Sequence, residues 1–233
     1  MGGIPTNEFG EVLTSANRVV PGLFAAGECA CASLHGFNRL GTNSLLELLV
    51  MGRCVGERVL SNLAEKQISA PKGAGEASLT RLAGYLEARG SENVALIRQE
   101  MREVMTRQVG VFRIEKGIEE AIASLISFKA RAAKVGIATK DLRMNQELLE
   151  RWELDNLLDN AMTIAQGALM RKESRGAHFR EDYPERSDAF QFHTLVSMTE
   201  FGKVGFGKRP IDLSIYEAKG ENFEMFKIMS RKY

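Results

Sequence analysis

The sequence is poor in several features that mark particular protein classes. It has three cysteines in 233 residues, an odd number without a disulfide framework, which fits a reducing compartment. Its longest apolar runs are well short of a membrane span, and its first residues show no signal-sequence pattern, so we expect any membrane contact to go through a partner. The formal net charge is +1, which argues against a nucleic-acid binder.

Metal and dinucleotide signatures are also missing. The three histidines are scattered, and Cys29 and Cys31 are separated by one residue, a spacing that is poor for zinc or thioredoxin-like chemistry. We therefore expect no metal site and interpret the cysteines as small packing residues. No G-x-G-x-x-G fingerprint for the pyrophosphate of a dinucleotide is present.

What remains is an ordinary globular composition, with 44% hydrophobic and 26% charged residues. At this length the chain can form one large domain or two small ones.

The most informative stretch covers residues 22–52. The apolar segment 22–26 predicts a buried strand. A small-residue loop follows, and Thr42, Asn43 and Ser44 then introduce an apolar helix that we expect to continue to about Lys66, with these three residues as possible N-caps. A strand, a glycine-bearing loop and a helix N-terminus together bring free N–H groups and the positive end of the helix dipole to one point, where an anionic or electron-rich ligand can bind.

Two charged side chains of this stretch suit different ligand groups. Glu28 can accept hydrogen bonds from the hydroxyls of a ribose or polyol. Arg39 offers a planar fork of donors that matches a carboxylate. Each has an ordinary alternative, because a loop arginine is usually a solvated charge and a glutamate after a strand is often a cap.

Three segments of the sequence, taken in order, resemble the flavoprotein subunit of succinate dehydrogenase and fumarate reductase. They are MGGIPTNEFGEVL, VPGLFAAGE and HGFNRLGTNSLLELLVMGR. Further on, MRKESRGAHFREDYPERSD resembles the C-terminal signature of that family, and KRPIDL resembles its closing strand. The resemblance runs to about residue 216 and covers the later part of the family's subunit.

The resemblance implies roles at five positions. Glu28 would bind the sugar chain of FAD, and Arg39 would hold one carboxylate of succinate or fumarate. The helix N-terminus at Asn43, Ser44 and Leu45 would offer backbone donors to the flavin ring, where the helix dipole favours the anionic reduced state.

Three further loop residues belong to the same motif. The resemblance implies that His35 and Asn38 order the loop, and His35 is a second candidate for substrate binding. The family usually has alanine where this sequence has Phe37, a change that leaves the charged groups intact and alters packing beside the substrate.

Other parts of the family's active site have no counterpart here. A substrate-contacting histidine before Met-Gly-Gly, the arginine that donates a proton to fumarate and the histidine often joined to FAD belong to the earlier part of the family's subunit. We therefore expect this chain to hold half of an active site, to be inactive alone and not to retain FAD.

The family also implies partners and a location. The expected partners are an iron–sulfur subunit, the N-terminal FAD-binding portion of the flavoprotein and a dicarboxylate substrate. Contact with a membrane would go only through anchor subunits, and no nucleic acid is expected. We expect a cytoplasmic location, peripheral on the cytoplasmic face of the inner membrane.

The rest of the sequence predicts a mainly helical α+β fold. Residues 1–67 would be the end of an FAD-binding α/β domain, and the Pro/Gly stretch 68–76 a linker. Apolar stripes of helical period predict a helical bundle over 77–185, with its last long helix from about Asn145 to Arg175. Residues 186–233 would form a small β element and a tail, with strands at 190–198 and 211–216 joined through a glycine-rich bend.

The segment from Arg171 to His178 closes the long helix. Its arginines and lysine predict a basic helix C-terminus that complements the dipole, with Gly176 as the residue just after the end. The resemblance implies that this turn docks the bundle against the flavin domain. We interpret His178 as structural rather than as a catalytic base.

Two other functions stay open at this point. L-aspartate oxidase is a close relative that shares the HGxNR loop and the RKESRG turn, although residues 190–215 resemble the dehydrogenase better. The chain could also be a non-catalytic module that completes a split flavoprotein, an interpretation favoured by the missing dinucleotide fingerprint.

Overall fold

A computed structural model describes residues 2–63 and 69–212. Within these ranges the chain forms five α-helices and eight short or medium strands, so the predicted α+β, mainly helical class is confirmed. No helix in the described ranges is long and apolar enough to cross a bilayer.

The first 63 residues form two small sheets and one long helix. Strand β1 (Ile4–Pro5) pairs in parallel with β4 (Ala30–Cys31), and β2 (Glu11–Leu13) pairs antiparallel with β3 (Val19–Phe24). Helix α1 (Asn43–Leu63) follows the glycine-bearing loop, as the sequence predicts.

The strand before this loop differs from the prediction. β3 begins three residues and ends two residues before the expected strand at 22–26, and it is largely exposed rather than buried, with Leu23 51% exposed. The reason is that β3 pairs only with β2 among the described residues, so no second layer covers its outer face. Only Ala25, just beyond the strand, is buried.

The second part is a bundle of four helices. They are α2 (Glu76–Glu87), α3 (Val94–Gln108), α4 (Glu115–Ala132) and α5 (Gln146–Met170). The side chains of Asn93 and Asn145 cap α3 and α5 by accepting from the N–H groups of Leu96 at 3.1 Å and Leu148 at 3.0 Å.

The core of the bundle lies where α3, α4 and α5 meet. Its largest fully buried side chains are Ile97, Ile118, Leu125, Leu154, Leu158 and Met162. Helix α2 packs on α5 through a smaller cluster that contains Tyr85 and Leu148. Apolar side chains at helical spacing thus predict both the helices and the faces that they bury.

The last helix of the bundle ends earlier than the sequence predicts. Helix α5 stops at Met170 instead of near Arg175, because Arg171 adopts an extended conformation (φ −90°, ψ 99°). Gly176 has a φ of +57° but lies in the turn between Arg175 and His178, six residues past the helix. It is therefore a turn glycine and not the residue that terminates α5.

Two further strand pairs close the described fold. Strands β5 (Phe112–Arg113) and β6 (Phe179–Arg180) pair in parallel. Strands β7 (Phe192–Glu200) and β8 (Lys203–Pro210) form an antiparallel hairpin, in register from Phe192 opposite Pro210.

The hairpin confirms a C-terminal β element but corrects its second strand. The glycine-rich segment expected to be a bend is β8 itself, and the true turn falls at 201–202. Pairing with β7 holds this segment extended, while Leu195 and Ser197 of β7 lie over Gly207 and Gly205. The strand predicted at 211–216 lies outside the described residues from 213 on, as does the tail from 221 to 233. The domain boundaries at 67, 76 and 185 stay predictions.

Candidate functional site

The turn between β3 and β4 packs closely against helix α1. Gly27 opens a 3₁₀ turn, Gly27–Cys29, with a φ of +76°. The positive φ favours glycine here, and a Cβ atom at this position would also lie 2.7 Å from Cδ2 of Leu48. This close packing places Glu28 beside the N-terminus of α1.

Three of the predicted site residues meet at Glu28. Nη1 of Arg39 donates to Oε1 of Glu28 at 2.6 Å, and the hydroxyl of Ser44 donates to the same oxygen at 3.2 Å. The hydrogen bond from Arg39 and then that from Ser44 lower the pKa of Glu28, so the carboxylate is ionised at neutral pH. The Glu28 side chain is 64% exposed and that of Arg39 is 27% exposed, so both remain accessible to a ligand.

The N-terminus of α1 faces the same space. The helix begins at Asn43, and the N–H groups of its first turn, including those of Ser44 and Leu45, have no acceptor within the helix. The hydroxyls of the expected N-caps are used elsewhere, because Thr42 donates to the carbonyl of Gly41 at 2.6 Å and Ser44 donates to Glu28. The helix therefore presents donors and its positive dipole end beside an exposed carboxylate.

His35 ties the loop to α1. Its Nε2 lies 2.5 Å from Oε2 of Glu47, and both side chains are largely buried. This contact fits the loop-ordering role that the resemblance implies. Direct binding of substrate by His35 stays a prediction.

Phe37 packs the loop between β4 and α1 against the turn that follows α5. The guanidinium carbon of Arg171 lies 4.6 Å from the centroid of the Phe37 ring, and the N–H of Ala177 donates to the Phe37 carbonyl at 3.1 Å. A Cβ atom at Gly176 would lie 2.8 Å from Cβ of Phe37, so the glycine makes room for the loop. The turn thus packs directly against the segment that carries Arg39.

Arg171 and Glu173 anchor this turn as a buried ion pair. Nε of Arg171 donates to Oε1 of Glu173 at 2.9 Å, and the two side chains are 2% and 0% exposed. Burial alone raises the pKa of Glu173, but hydrogen bonds from Arg175, the N–H of Ser187 and Arg171 lower it overall. The carboxylate is therefore ionised and fully compensated inside the protein.

Arg180 binds the carbonyl groups at the C-terminus of α5, a role that the sequence pattern predicts for the basic residues directly after the helix. It is fully buried, and its Nη1 donates to the carbonyls of Ala168 at 3.1 Å and Leu169 at 3.3 Å in the last turn of α5. Its other nitrogens bind both oxygens of Asp182 at 2.8 and 2.7 Å. The hydrogen bonds from Arg180 lower the pKa of Asp182 to about 2.

His178 is buried within the same group of arginines. Its Nε2 donates to the Arg171 carbonyl at 3.0 Å, and its Nδ1 accepts from Nη1 of Arg113 at 2.8 Å. Burial, with the nearby arginine charges, lowers the pKa of His178 to about 4, so the ring is neutral. These contacts fit the structural interpretation, because both ring nitrogens are engaged inside the protein.

Sequence reasoning missed one cluster beside the loop. The Ser33 hydroxyl lies 2.9 Å from Nε2 of His193 and accepts from Nη2 of Arg209 at 3.1 Å. Ser33 also has a φ of +64°, in the left-handed region that serine rarely adopts. No local signal could reveal the cluster, because its members are 160 and 176 residues apart in sequence.

Metal and thiol chemistry gain no support from the described part of the chain. No group of three or more His, Cys, Asp or Glu side chains there is arranged to hold a metal ion. Cys29, Cys31 and Cys54, all within the described ranges, form no disulfide.

The donors and acceptors of the loop fit part of a flavin nucleotide. An exposed carboxylate suits the hydroxyls of the ribityl chain or ribose, and the open N–H groups of α1 suit the carbonyl edge of the ring. This match between donor set and ligand concerns the ring and the polyol, while the described sequence offers no glycine fingerprint for the pyrophosphate.

Comparison with known families assigns the chain in two steps. A family model described as "FAD binding domain" matches residues 1–45, so the strands and the loop with Glu28 and Arg39 belong to a flavoprotein. A second model, described as "Fumarate reductase flavoprotein C-term", matches residues 98–233. The chain belongs to the succinate dehydrogenase and fumarate reductase flavoprotein family, which confirms the resemblance found in the sequence.

Curated relatives agree with this assignment. The mitochondrial succinate dehydrogenase [ubiquinone] flavoprotein subunit of Oryza sativa is 41% identical over 229 residues, a match that covers 96% of this chain and 36% of the rice protein. The fumarate reductase flavoprotein subunit of Helicobacter pylori is 43% identical over 192 residues, covering 81% of this chain and 26% of that protein. The chain thus spans about a third of the length of the curated relatives it matches.

Solved structures show the same fold. The E. coli quinol fumarate reductase superposes with a TM-score of 0.80 at 36% identity, covering 91% of this chain and 37% of that chain. The Mycobacterium smegmatis Sdh1 complex gives a TM-score of 0.78 at 29% identity, covering 92% of this chain and 37% of that chain.

Proposed function

We propose that this chain is the part of a flavin-dependent oxidoreductase that contributes flavin-ring contacts and a substrate-carboxylate arginine, in an enzyme that interconverts succinate and fumarate. The observation that carries this proposal is the cluster of Glu28, Arg39 and Ser44 at the N-terminus of α1. It combines an acceptor for cofactor hydroxyls, a fork of donors for a carboxylate and an open helix end within one loop.

Each residue has a separate task in this proposal. Glu28 holds the sugar chain of FAD, and the N–H groups at Asn43, Ser44 and Leu45 hold the ring and stabilise negative charge on it through the helix dipole. FAD, when bound, supplies the hydride chemistry. Arg39 binds one substrate carboxylate and thereby orients the reacting carbon, which is a positioning contribution to the rate.

Both charged groups can change partners at small cost. The ion pair of Glu28 and Arg39 is open to solvent, and solvent-exposed pairs contribute little to stability. Cofactor hydroxyls would replace Arg39 as the partner of Glu28. A substrate carboxylate would replace Glu28 as the partner of Arg39. The guanidinium would then exchange one carboxylate for another without losing its charge compensation.

The assembly proposed around this chain follows from its family. The N-terminal FAD-binding portion of the flavoprotein would supply the pyrophosphate site, so FAD is not expected to be retained by this chain alone. Electrons would pass to an iron–sulfur subunit. Membrane attachment, on the cytoplasmic face of the inner membrane, would go through anchor subunits.

The test is the Arg39→Ala variant of the chain, mixed with an upstream flavoprotein half and supplied with FAD. Charge-assisted hydrogen bonds contribute about 1.5–3 kcal/mol each, so losing two of them should reduce kcat/KM for succinate by roughly 100-fold or more. Steady-state assays with an artificial electron acceptor measure this effect. Arg53→Ala is the control, because Arg53 is a well-exposed residue of α1 whose ion pair with Glu57 lies within that helix.

Two results would contradict the proposal. One is an Arg39→Ala variant with the same kcat/KM as the Arg53→Ala control. The other is turnover of L-aspartate in place of succinate, which would identify the chain with the aspartate oxidase branch.

A further inference from the structure

We propose that Ser33, His193 and Arg209 are positioning residues that hold the Arg39 loop on the hairpin of β7 and β8, and so set where the Arg39 guanidinium lies. The part of this inference that concerns substrate rests on the proposed function. The part that concerns the loop rests on the contacts alone. We call these three residues the loop clasp.

The two clasp residues of the hairpin lie opposite each other on its paired strands. His193 of β7 and Arg209 of β8 are paired directly across the two strands. Both contact the same atom, the Oγ of Ser33, at 2.9 and 3.1 Å. Arg209 is 8% exposed, so the contact ties an exposed serine of the loop to a buried arginine of the hairpin.

The hydrogen-bonding capacity of the three groups matches. Arg209 can only donate, so the Oγ of Ser33 is the acceptor in that bond. The hydroxyl hydrogen of Ser33 is then free to be donated to the imidazole of His193. Burial first, and then the charges of Arg209 and Arg171, lower the pKa of His193 to about 4, so the ring is neutral and Nε2 can accept. The bonds hold Ser33 in a left-handed conformation that serine rarely adopts without such support.

A second contact supports the loop on the same strand. Arg171 stacks on Phe37 and also donates to the carbonyl of Phe192 at 3.0 Å and the hydroxyl of Thr194 at 2.9 Å. These two acceptors flank His193 in β7. The hairpin thus holds the loop at Ser33 and, through Arg171, at Phe37, and Arg39 follows only two residues later. A shift of the hairpin would therefore move the guanidinium.

The clasp is not a nucleophilic centre. A serine activated by histidine needs a third group that stabilises the imidazolium, normally a carboxylate. Here the neighbouring group is the cation Arg209, which disfavours a charged ring. The arrangement suits a hydrogen bond between the neutral side chains of Ser33 and His193, which can hold the loop in place.

The experiment compares Ser33→Gly with wild type, because glycine keeps the positive φ without strain while the hydroxymethyl group that carries Oγ is removed. Hydrogen exchange on the 233-residue chain should show residues 34–42 exchanging at least five times faster, with the bundle helices unchanged. In the mixture with the upstream flavoprotein half and FAD, KM for succinate should rise about tenfold while kcat stays within twofold. Ser197→Ala is the matched control, since Ser197 lies on β7 and its hydroxyl donates to the Gly205 carbonyl within the hairpin.

A second pair of variants separates positioning from loss of packing. His193→Gln retains an amide that can bond Ser33, so it should recover much of the effect seen in His193→Ala. Unchanged exchange in residues 34–42 for both Ser33→Gly and His193→Ala would overturn the clasp.

Failure of the clasp and failure of the proposed function give different results. If Arg39→Ala raises KM but Ser33→Gly changes neither exchange nor KM, the clasp is wrong and the substrate role of Arg39 stands. If Ser33→Gly accelerates exchange while Arg39→Ala leaves KM unchanged, the clasp holds the loop and the substrate assignment is wrong.

Discussion

Two histidines of this chain are neutral because they lie beside arginines and are shielded from solvent, His178 fully and His193 partly. Burial is the first cause for both, and the charges of Arg113, Arg171 and Arg180 act on His178 while those of Arg209 and Arg171 act on His193. The pKa of each ring falls from 6.5 to about 4. Protonation is thus easier in the unfolded chain than in the folded one.

This difference predicts a loss of stability in mild acid. The neutral rings contribute stability that is complete above pH 6.5 and is lost as the pH falls towards 4, because only the unfolded state takes up protons in that window. For His178, which is 4% exposed, the free energy of unfolding should drop by about 1.5 kcal/mol between pH 6.5 and pH 5. His193 is less buried and should contribute less. Urea unfolding at several pH values measures the slope.

His178→Gln is the informative variant for this prediction. It removes one titrating group, so the slope between pH 6.5 and pH 5 should fall clearly even if overall stability also falls. An unchanged slope would show that His178 is not neutral in the folded protein. Asp182 does not interfere, because its pKa of about 2 affects stability only below pH 4.

The chemistry of single residues could be predicted from the sequence, but their partners could not. The planar guanidinium of Arg39 and the carboxylate of Glu28 each indicate a ligand type wherever they lie. Their 2.6 Å contact depends on how the loop closes over 11 residues, which no local pattern encodes. The same holds for Ser33, whose partners lie in a hairpin far along the chain.

At the scale of elements, the turn after α5 connects three parts of the molecule. Arg171 joins the loop at Phe37, the start of β7 and the buried carboxylate of Glu173, while Arg180 caps α5. Breaking a buried ion pair leaves an uncompensated charge, which costs far more than losing an exposed one.

Glu173→Gln should therefore destabilise the protein by about 3 kcal/mol, because Arg171 and Arg175 would both lose their anionic partner. The matched control is Glu200→Gln, which breaks the exposed pair with Lys203 and should change stability by no more than about 0.5 kcal/mol. Thermal or urea unfolding of both variants measures the difference. Equal effects would mean that burial does not control the strength of these pairs.

Helices were predictable from the sequence where burial is periodic, and their ends were not. Helices α3, α4 and α5 show apolar positions at helical spacing, which predicts the bundle directly. The end of α5 depends on Arg171 turning into a buried site formed by residues up to 23 positions away. The strand β8 was missed for a related reason, because its glycines are held extended by β7 rather than by their own preference.

At the scale of the whole molecule, helix α1 has an exposed apolar face. Leu45, Leu46, Leu49 and Leu60 are each more than half exposed. Such a surface indicates contact with another chain or with another copy. Sedimentation of the 233-residue chain over a range of concentrations tests for self-association.

The sequence separation within the loop clasp has a consequence for the order of folding. His35 meets Glu47 across 12 residues, whereas Ser33 meets His193 across 160 residues. Closing the longer loop costs about 2 kcal/mol more in chain entropy, unless the intervening bundle has already formed and brought the ends together. Pulse-labelled refolding should therefore show protection in α3, α4 and α5 before protection in residues 34–42, and simultaneous protection would contradict this order. The segment that carries Arg39 would then be the last to reach its native position, so the refolding chain would bury its core before its ligand-binding loop is folded.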